Sequence, residues 1–252
     1  MAEAIEKVGS TAVGRPDYVK GNRGFDKMET RDIVLPRLSL CQAMTPQRQE
    51  SHAKYIPDLK EGQLFNSLTS QIYGKAVTVV PLFFFKSRIL FKDIDEGGGI
   101  VCQAPDGKSC QLNHGGPCIK QGWGPNGEPP ECTEFYNYPS LIMPTRELIV
   151  ISLKVTALKA GREWNALMRM RGADMFAGLY DIRSAPARNK AGQTYYTYVI
   201  ANGNPNQWAD KETYQHAEAM FNQVSEGLAT GTITVDESTI SDDAFADRDT
   251  EM

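Results

Sequence analysis

"GLYDIRSAPAR", "NKAG" and "QTYYTYVIAN" follow one another over residues 178–202. The outer runs alternate β-branched, aromatic and polar residues, as strands do. The middle one ends in Gly192, where a hairpin turn needs a left-handed residue. The spacing predicts an antiparallel hairpin, and so a sheet-based body. It also sorts the side chains. Tyr196, Tyr198 and Ile200 share one face; Tyr195, Thr197 and Val199 share the other. One of these two sets must be core.

Other runs carry the same signature. "DIVLPRLSLCQAM" (32–44) reads as a short strand broken by Pro36, with Cys41 as a small buried hydrophobe. "KAVTVVPLFFFKSRILFKD" (75–93) reads as two strands, or one bulged edge strand, around Pro81. "ELIVISLKVTAL" (147–158) is a further strand. In "EWNALMRMRG" the apolar positions Trp164, Leu167, Met168 and Met170 fit helix or strand alike. "DKETYQHAEAMFNQVSEGL" (210–228) is an amphipathic helix. Asp210 is its N-cap, Gly227 its stop, and Tyr214, Ala217, Met220, Phe221 and Val224 its apolar stripe.

The expected fold is therefore mainly β with one C-terminal α-helix. A small oligonucleotide-binding (OB-fold-like) barrel with a Cys-rich insertion would produce this order, and a β-sandwich with a capping helix would read the same way. Residues 1–30 mix Gly, Lys, Arg and Asp without periodicity and read as a flexible arm. The body runs from 31 to 230, with the insertion at 100–138. Residues 231–252 read as a disordered acidic tail.

Charge follows these divisions. From Asp236 to Met252 there are seven acids and one base; the rest of the chain holds 26 bases and 24 acids. A slightly basic body with an acidic end points to nucleic-acid traffic or to a charged interaction tail. With 41% hydrophobic residues the chain can bury a core, yet no apolar run reaches the ~20 residues of a membrane span. Neither a membrane nor a secretory leader is expected, which places the chain in a cytoplasm with reduced thiols.

In that setting the insertion is the strongest local signal. Cys102, Cys110, Cys118 and Cys132 are separated by seven, seven and thirteen residues. Four thiolates suit a structural, tetrahedral zinc, although the close C-x2–4-C knuckles of such sites are missing. His114 could stand in for one cysteine. An iron–sulfur cluster and four reduced cysteines in a loop remain as alternatives.

A second constellation sets rings beside cations. Phe84, Trp123, Tyr136, Tyr195 and Tyr196 lie near Lys86, Arg88, Arg183, Arg188 and Lys190 in presumed strands and loops. Single-stranded nucleic acid is held in this manner, bases on rings and backbone along cations. Enzymatic signatures are missing: there is no phosphate-cradling glycine loop, nucleophile elbow or zinc-hydrolase motif, and His52, His114 and His216 are scattered. No catalytic residue is expected.

The early "LPRLSL…YIPDLKEGQLFNSLTSQIYG" block, the phenylalanine-rich strand, the cysteine insertion, the hairpin and the acidic end together resemble the single-stranded-DNA-binding proteins that bacteriophages encode for replication and recombination. The likeness spans roughly residues 30 to 230. It implies an oligonucleotide-binding barrel, sequence-tolerant binding of single strands, and a tail that recruits replication or recombination enzymes or shields the DNA groove. A homo-oligomer is one expected form; the sequence does not fix the oligomeric state. Bacterial proteins of this kind end in a hydrophobic tip; here Phe245 sits seven residues before the end, a departure from that pattern. The alternative is an interaction or inhibitor protein that targets a host enzyme through its acidic tail.

Overall fold

The computed structural model describes residues 32–92, 99–189, 192–230 and 233–236. The expected arm and most of the acidic tail lie outside them. In chain order the elements are β1 (Val34–Leu35), β2 (Leu38–Leu40), β3 (Leu64–Asn66), β4 (Ile72–Gly74), β5 (Ala76–Pro81), β6 (Phe85–Phe91) and β7 (Ile100–Ala104). There follow β8 (Cys132–Met143), β9 (Glu147–Lys154), α1 (Leu158–Met170), β10 (Tyr180–Arg188), β11 (Thr194–Asn202), α2 (Lys211–Thr230) and β12 (Thr234–Val235).

The long strand β8 organises the main sheet. One edge pairs with β9 from Phe135 to Ile142. The other edge is shared: β6 takes its first half, Cys132–Asn137, and β5 its last, Ser140–Met143. Pro81 ends β5, and three residues later β6 begins, so the proline divides the run into two strands. From there the sheet splays. β5 leads to β10 and β11, while β6 leads to β7. The hairpin forms with Arg188 opposite Thr194, and Gly192 has φ +81°. Pro186 falls in the part of β10 that β5 does not cover, where a missing N–H leaves no ladder bond unmade.

The expected closed barrel is not formed. The strands make open sheets of seven, three (β2–β3–β4) and two (β1–β12) strands. Because β8 is long enough to seat two successive strands on one edge, the sheet diverges into two wings. β11 and β7 end those wings and do not meet. The outer edge of β9 receives a single parallel bridge, Arg37 to Val150, with the Val150 N–H donating to the Pro36 carbonyl at 2.9 Å.

Two helices, not one, cover the sheet. α1 is the segment whose periodicity left helix and strand open. Ala157, Gly161, Trp164 and Met168 form its buried stripe at helical spacing. Trp164 and Met168 join Val79, Tyr138, Ile149, Ile151 and Ile182 in one core, which also takes Leu38, Leu40 and Leu64 from the small sheet. Gly161 lets helix and sheet approach closely: a Cβ there would stand 3.0 Å from the Tyr136 ring, and the Tyr138 hydroxyl donates to the Gly161 carbonyl at 3.0 Å.

On the opposite face α2 sets Ala217, Val224 and Leu228 against Val80, Leu141 and Val150. Asp210 caps it, accepting the Thr213 N–H at 2.7 Å. The helix runs through Gly227 to Thr230 rather than stopping there. The body then continues into the start of the tail: Ile233 is buried, β12 pairs in parallel with β1, and Arg37 Nε donates to the Asp236 carbonyl across 199 residues of sequence. Among the described residues no helix is long and apolar enough to cross a membrane.

Candidate nucleic-acid interface

Register shows which faces are open. Val77, Val79, Tyr180 and Ile182 point to the α1 core, so Thr78, Asp181 and Arg183 point to the α2 side. α2 covers that side over β5, β8 and β9, packing on Val80, Leu141 and Val150. Across the β10–β11 wing, the same face carries Arg183, Tyr195, Thr197 and Val199. Of these, Arg183 and Val199 are exposed and Tyr195 is half-buried. Arg183 pairs with Asp181 at 3.2 Å. Tyr196 is on the other face, packed against the core with Tyr198 and Ile200. Arg188 is exposed at the hairpin end, and Lys190 lies outside the described residues.

The remaining expected contact residues lie at the opposite end of the sheet, on and beside β6. Tyr136 is buried, with Phe84 edge-on to it at 5.2 Å. It has no face for a base, because β8 runs through the middle of the sheet. Lys86 is exposed and stands 4.8 Å over the Tyr136 ring. Arg88 is held by Glu134 at 2.8 Å. Trp123 is 72% exposed. The fold thus splits the expected set between two wings.

A different group is gathered at the C-terminal end of α1. The Arg171 guanidinium lies between two rings, 4.4 Å from the centre of Tyr180 and 5.1 Å from that of Trp208. It also donates to the Asn202 side chain at 2.8 Å and to the Gln207 carbonyl. Trp208 is 54% exposed, so one ring face is backed by a cation and the rest meets solvent. Along α1, Lys159, Arg162 and Arg169 are exposed with Ala166 among them, and among the described residues none is paired with an acid. Two of the nearby acids are engaged, while Glu163 stands exposed among these cations on α1 itself. Asp174 accepts the Tyr214 hydroxyl at 2.7 Å, and Asp210 caps α2. Sequence reasoning missed this group. Its trace was the i, i+3, i+10 spacing of those cations in the stretch left undecided between helix and strand.

The cysteines are gathered too. Cys102 on β7 and Cys132 on β8 both face Leu90 of β6, so they flank it on one side of the sheet. A bridge between Ser109 and Pro117 sets Cys110 beside Cys118. The four form one buried cluster, and none is in a disulfide. Burial opposes ionisation of Cys110, but the N–H groups of Ile119, Asn113 and Leu112 aimed at its sulfur outweigh burial and lower its pKa. Burial, then the neighbouring Cys118, pushes Cys132 up to about 12. Cys102 meets Cys110, and Cys118 meets Cys132. Among the described residues no three His, Cys, Asp or Glu side chains are set around a common point for a metal ion. His114 is exposed in a left-handed turn, apart from the cluster.

One cleft, about 80 Å³, opens between β6, β7 and β12, lined by Arg37, Phe85, Arg88 and Val235 among others. Pockets that enclose small molecules measure roughly 300–1,000 Å³.

These features define a mainly β protein whose open, two-winged sheet is covered by a helix on each face. A family model described as Pam3 phage gp34-like protein matches residues 7–230, and the chain belongs to that family. No curated protein and no solved structure matches it. The family makes this a bacteriophage-type protein; its description carries no statement about DNA.

Proposed function

We propose that this is a non-catalytic, sequence-tolerant single-stranded-DNA-binding protein, serving phage DNA replication or recombination in the host cytoplasm. The supporting observation is the Trp208 ring, backed by Arg171 at the end of α1 and open to solvent, on the same helix unit that exposes Lys159, Arg162 and Arg169. A base stacks on the ring, and the backbone follows Lys159, Arg162 and Arg169. Arg183 and Tyr195, on the α2 side of the neighbouring wing, form a separate candidate surface. The reading needs no closed barrel, because a ring and a line of charges grip a flexible strand from any rigid scaffold. The alternative, inhibition of a host enzyme through the acidic tail, rests on residues 237–252, outside the described part.

Tryptophan fluorescence titrated with oligo-dT and with duplex DNA tests it. Trp164 is buried, so Trp123 and Trp208 report. Quenching by the single strand at low salt, with affinity that falls steeply as salt rises, is expected. One stacked base is worth ~1–3 kcal/mol, so Trp208→Ala weakens binding roughly 5- to 150-fold. Absence of a single-strand preference, or a Trp208→Ala variant with unchanged affinity, overturns the reading.

A further inference from the structure

We propose that Cys102, Cys110, Cys118 and Cys132 together hold one structural zinc ion, which staples the loop of residues 105–131 to the edge of the sheet.

Burial along that loop carries the inference. Between Pro105 and Glu131 only Cys110 and Cys118 are buried. The larger apolar side chains are outside: Leu112 is 47% exposed, Ile119 61% and Trp123 72%. A loop held by hydrophobic packing would bury leucine, isoleucine and tryptophan before two thiols. Here the thiols alone are turned inward, and they meet two more from β7 and β8, with Leu90 as the apolar neighbour. Loops this long without regular structure need a staple or a function, and four sulfurs from one loop and two strands are a full tetrahedral zinc set.

The backbone supports that role. The turn Gln111–Asn113 begins directly after Cys110, and the Cys110 carbonyl accepts the Asn113 and Gly115 N–H groups at 3.0 and 2.9 Å while its own N–H donates to Gly116, which fixes the backbone that presents this sulfur. The four thiols already form one buried cluster, so the donor set is gathered in one place. The wide spacing in sequence is no obstacle, because strand pairing supplies the proximity that a close knuckle supplies elsewhere. Four protein ligands leave no open position, so the ion is structural, not catalytic.

The full chain, made in zinc-supplemented medium and purified under reducing conditions without chelator, is analysed for metal. About one zinc per chain is expected, in the wild type and in His114→Ala, and almost none in Cys110→Ser. Because a cysteine variant can fail for other reasons, the wild type is also treated with a zinc chelator. Protease cleavage then appears within residues 105–131 while the rest of the chain stays resistant. Cobalt exchanged into the wild type gives the visible absorption of a tetrahedral tetrathiolate. Wild-type protein with no zinc and no cobalt spectrum overturns the proposal. So does iron in place of zinc, or a mass four protons lighter without reductant, which marks two disulfides. Loss of zinc from His114→Ala overturns the ligand set.

Discussion

The ring of Tyr196 lies across Gly62, so close that a Cβ added to the glycine would stand 2.5 Å from the ring's Cε1. Gly62 also has φ +77°, and its carbonyl accepts the Ser184 hydroxyl. The contact ties the loop before β3 to the β10–β11 hairpin. Gly62→Ala meets both a clash and a left-handed backbone, and should destabilise by ~2–4 kcal/mol. Urea unfolding checks this as a lower midpoint at unchanged m-value. Removing the ring as well, in Gly62→Ala with Tyr196→Ala, should cost less than the two single changes added together. Simple additivity would show that the ring is not what blocks the alanine.

The cations on α1 give a prediction separable from stacking. Replacing Lys159, Arg162 and Arg169 by glutamine together removes three candidate phosphate contacts. At ~0.7 per contact on single strands, the slope of log affinity against log salt should fall by roughly 2. Trp208→Ala should lower affinity while leaving that slope nearly unchanged. The pattern distinguishes a base platform from a charge track. A triple variant with the wild-type slope would place the DNA elsewhere, the Arg183 wing being the next surface to test.

Asp210 links the α2 cap to pH. The Thr213 N–H, donating at 2.7 Å, holds the Asp210 carboxyl below the usual aspartate range. A carboxylate favoured by folding contributes stability that is complete above the unfolded value, near pH 4, and is lost as pH falls through the folded value. Asp210→Ala should therefore lower the melting temperature by about 2–4 °C at neutral pH. The difference from wild type should shrink as pH falls below about 4 and through the folded value. Asp210→Asn keeps an acceptor and should show a smaller, nearly pH-independent deficit. A deficit for the alanine variant that persists undiminished into acid would mean the cap acts through packing rather than charge.

What could be read in the sequence was whatever is local. The β10–β11 hairpin shows itself through alternation and Gly192, and α2 through Asp210 and a stripe that does bury Ala217 and Val224. Pro81 marks the true division between β5 and β6. α1 was ambiguous because Gly161 reads as a break when its tight fit against Tyr136 and Tyr138 is unseen. Tyr136 passed for a surface ring because nothing local reveals that β8 is bordered on both edges. Arg171 and Trp208 are 37 positions apart, and only the end of α1 brings them together. The cysteines were visible as a set, but their convergence depends on Leu90 pairing with two strands at once.

Where the body ends is itself testable. Ile233 is buried, the Asp236 N–H donates to the Leu35 carbonyl at 2.7 Å, and Arg37 Nε donates to the Asp236 carbonyl at 2.8 Å. A chain stopped after Thr230 loses the strand pair β1–β12 and a buried isoleucine worth ~1.5–3 kcal/mol. It should unfold at clearly lower urea. A chain stopped after Asp236 keeps all three features and should be as stable as the full chain. It also drops six acids against one base. If those acids compete with phosphate for the cationic surface, this chain binds oligo-dT as tightly as the full chain or more tightly, with the largest gain at low salt, where screening is weakest. Weaker binding by the stable truncation would show that the tail supports DNA binding instead of shielding against it. The shorter truncation separates that result from a mere loss of fold, because it changes stability and affinity together.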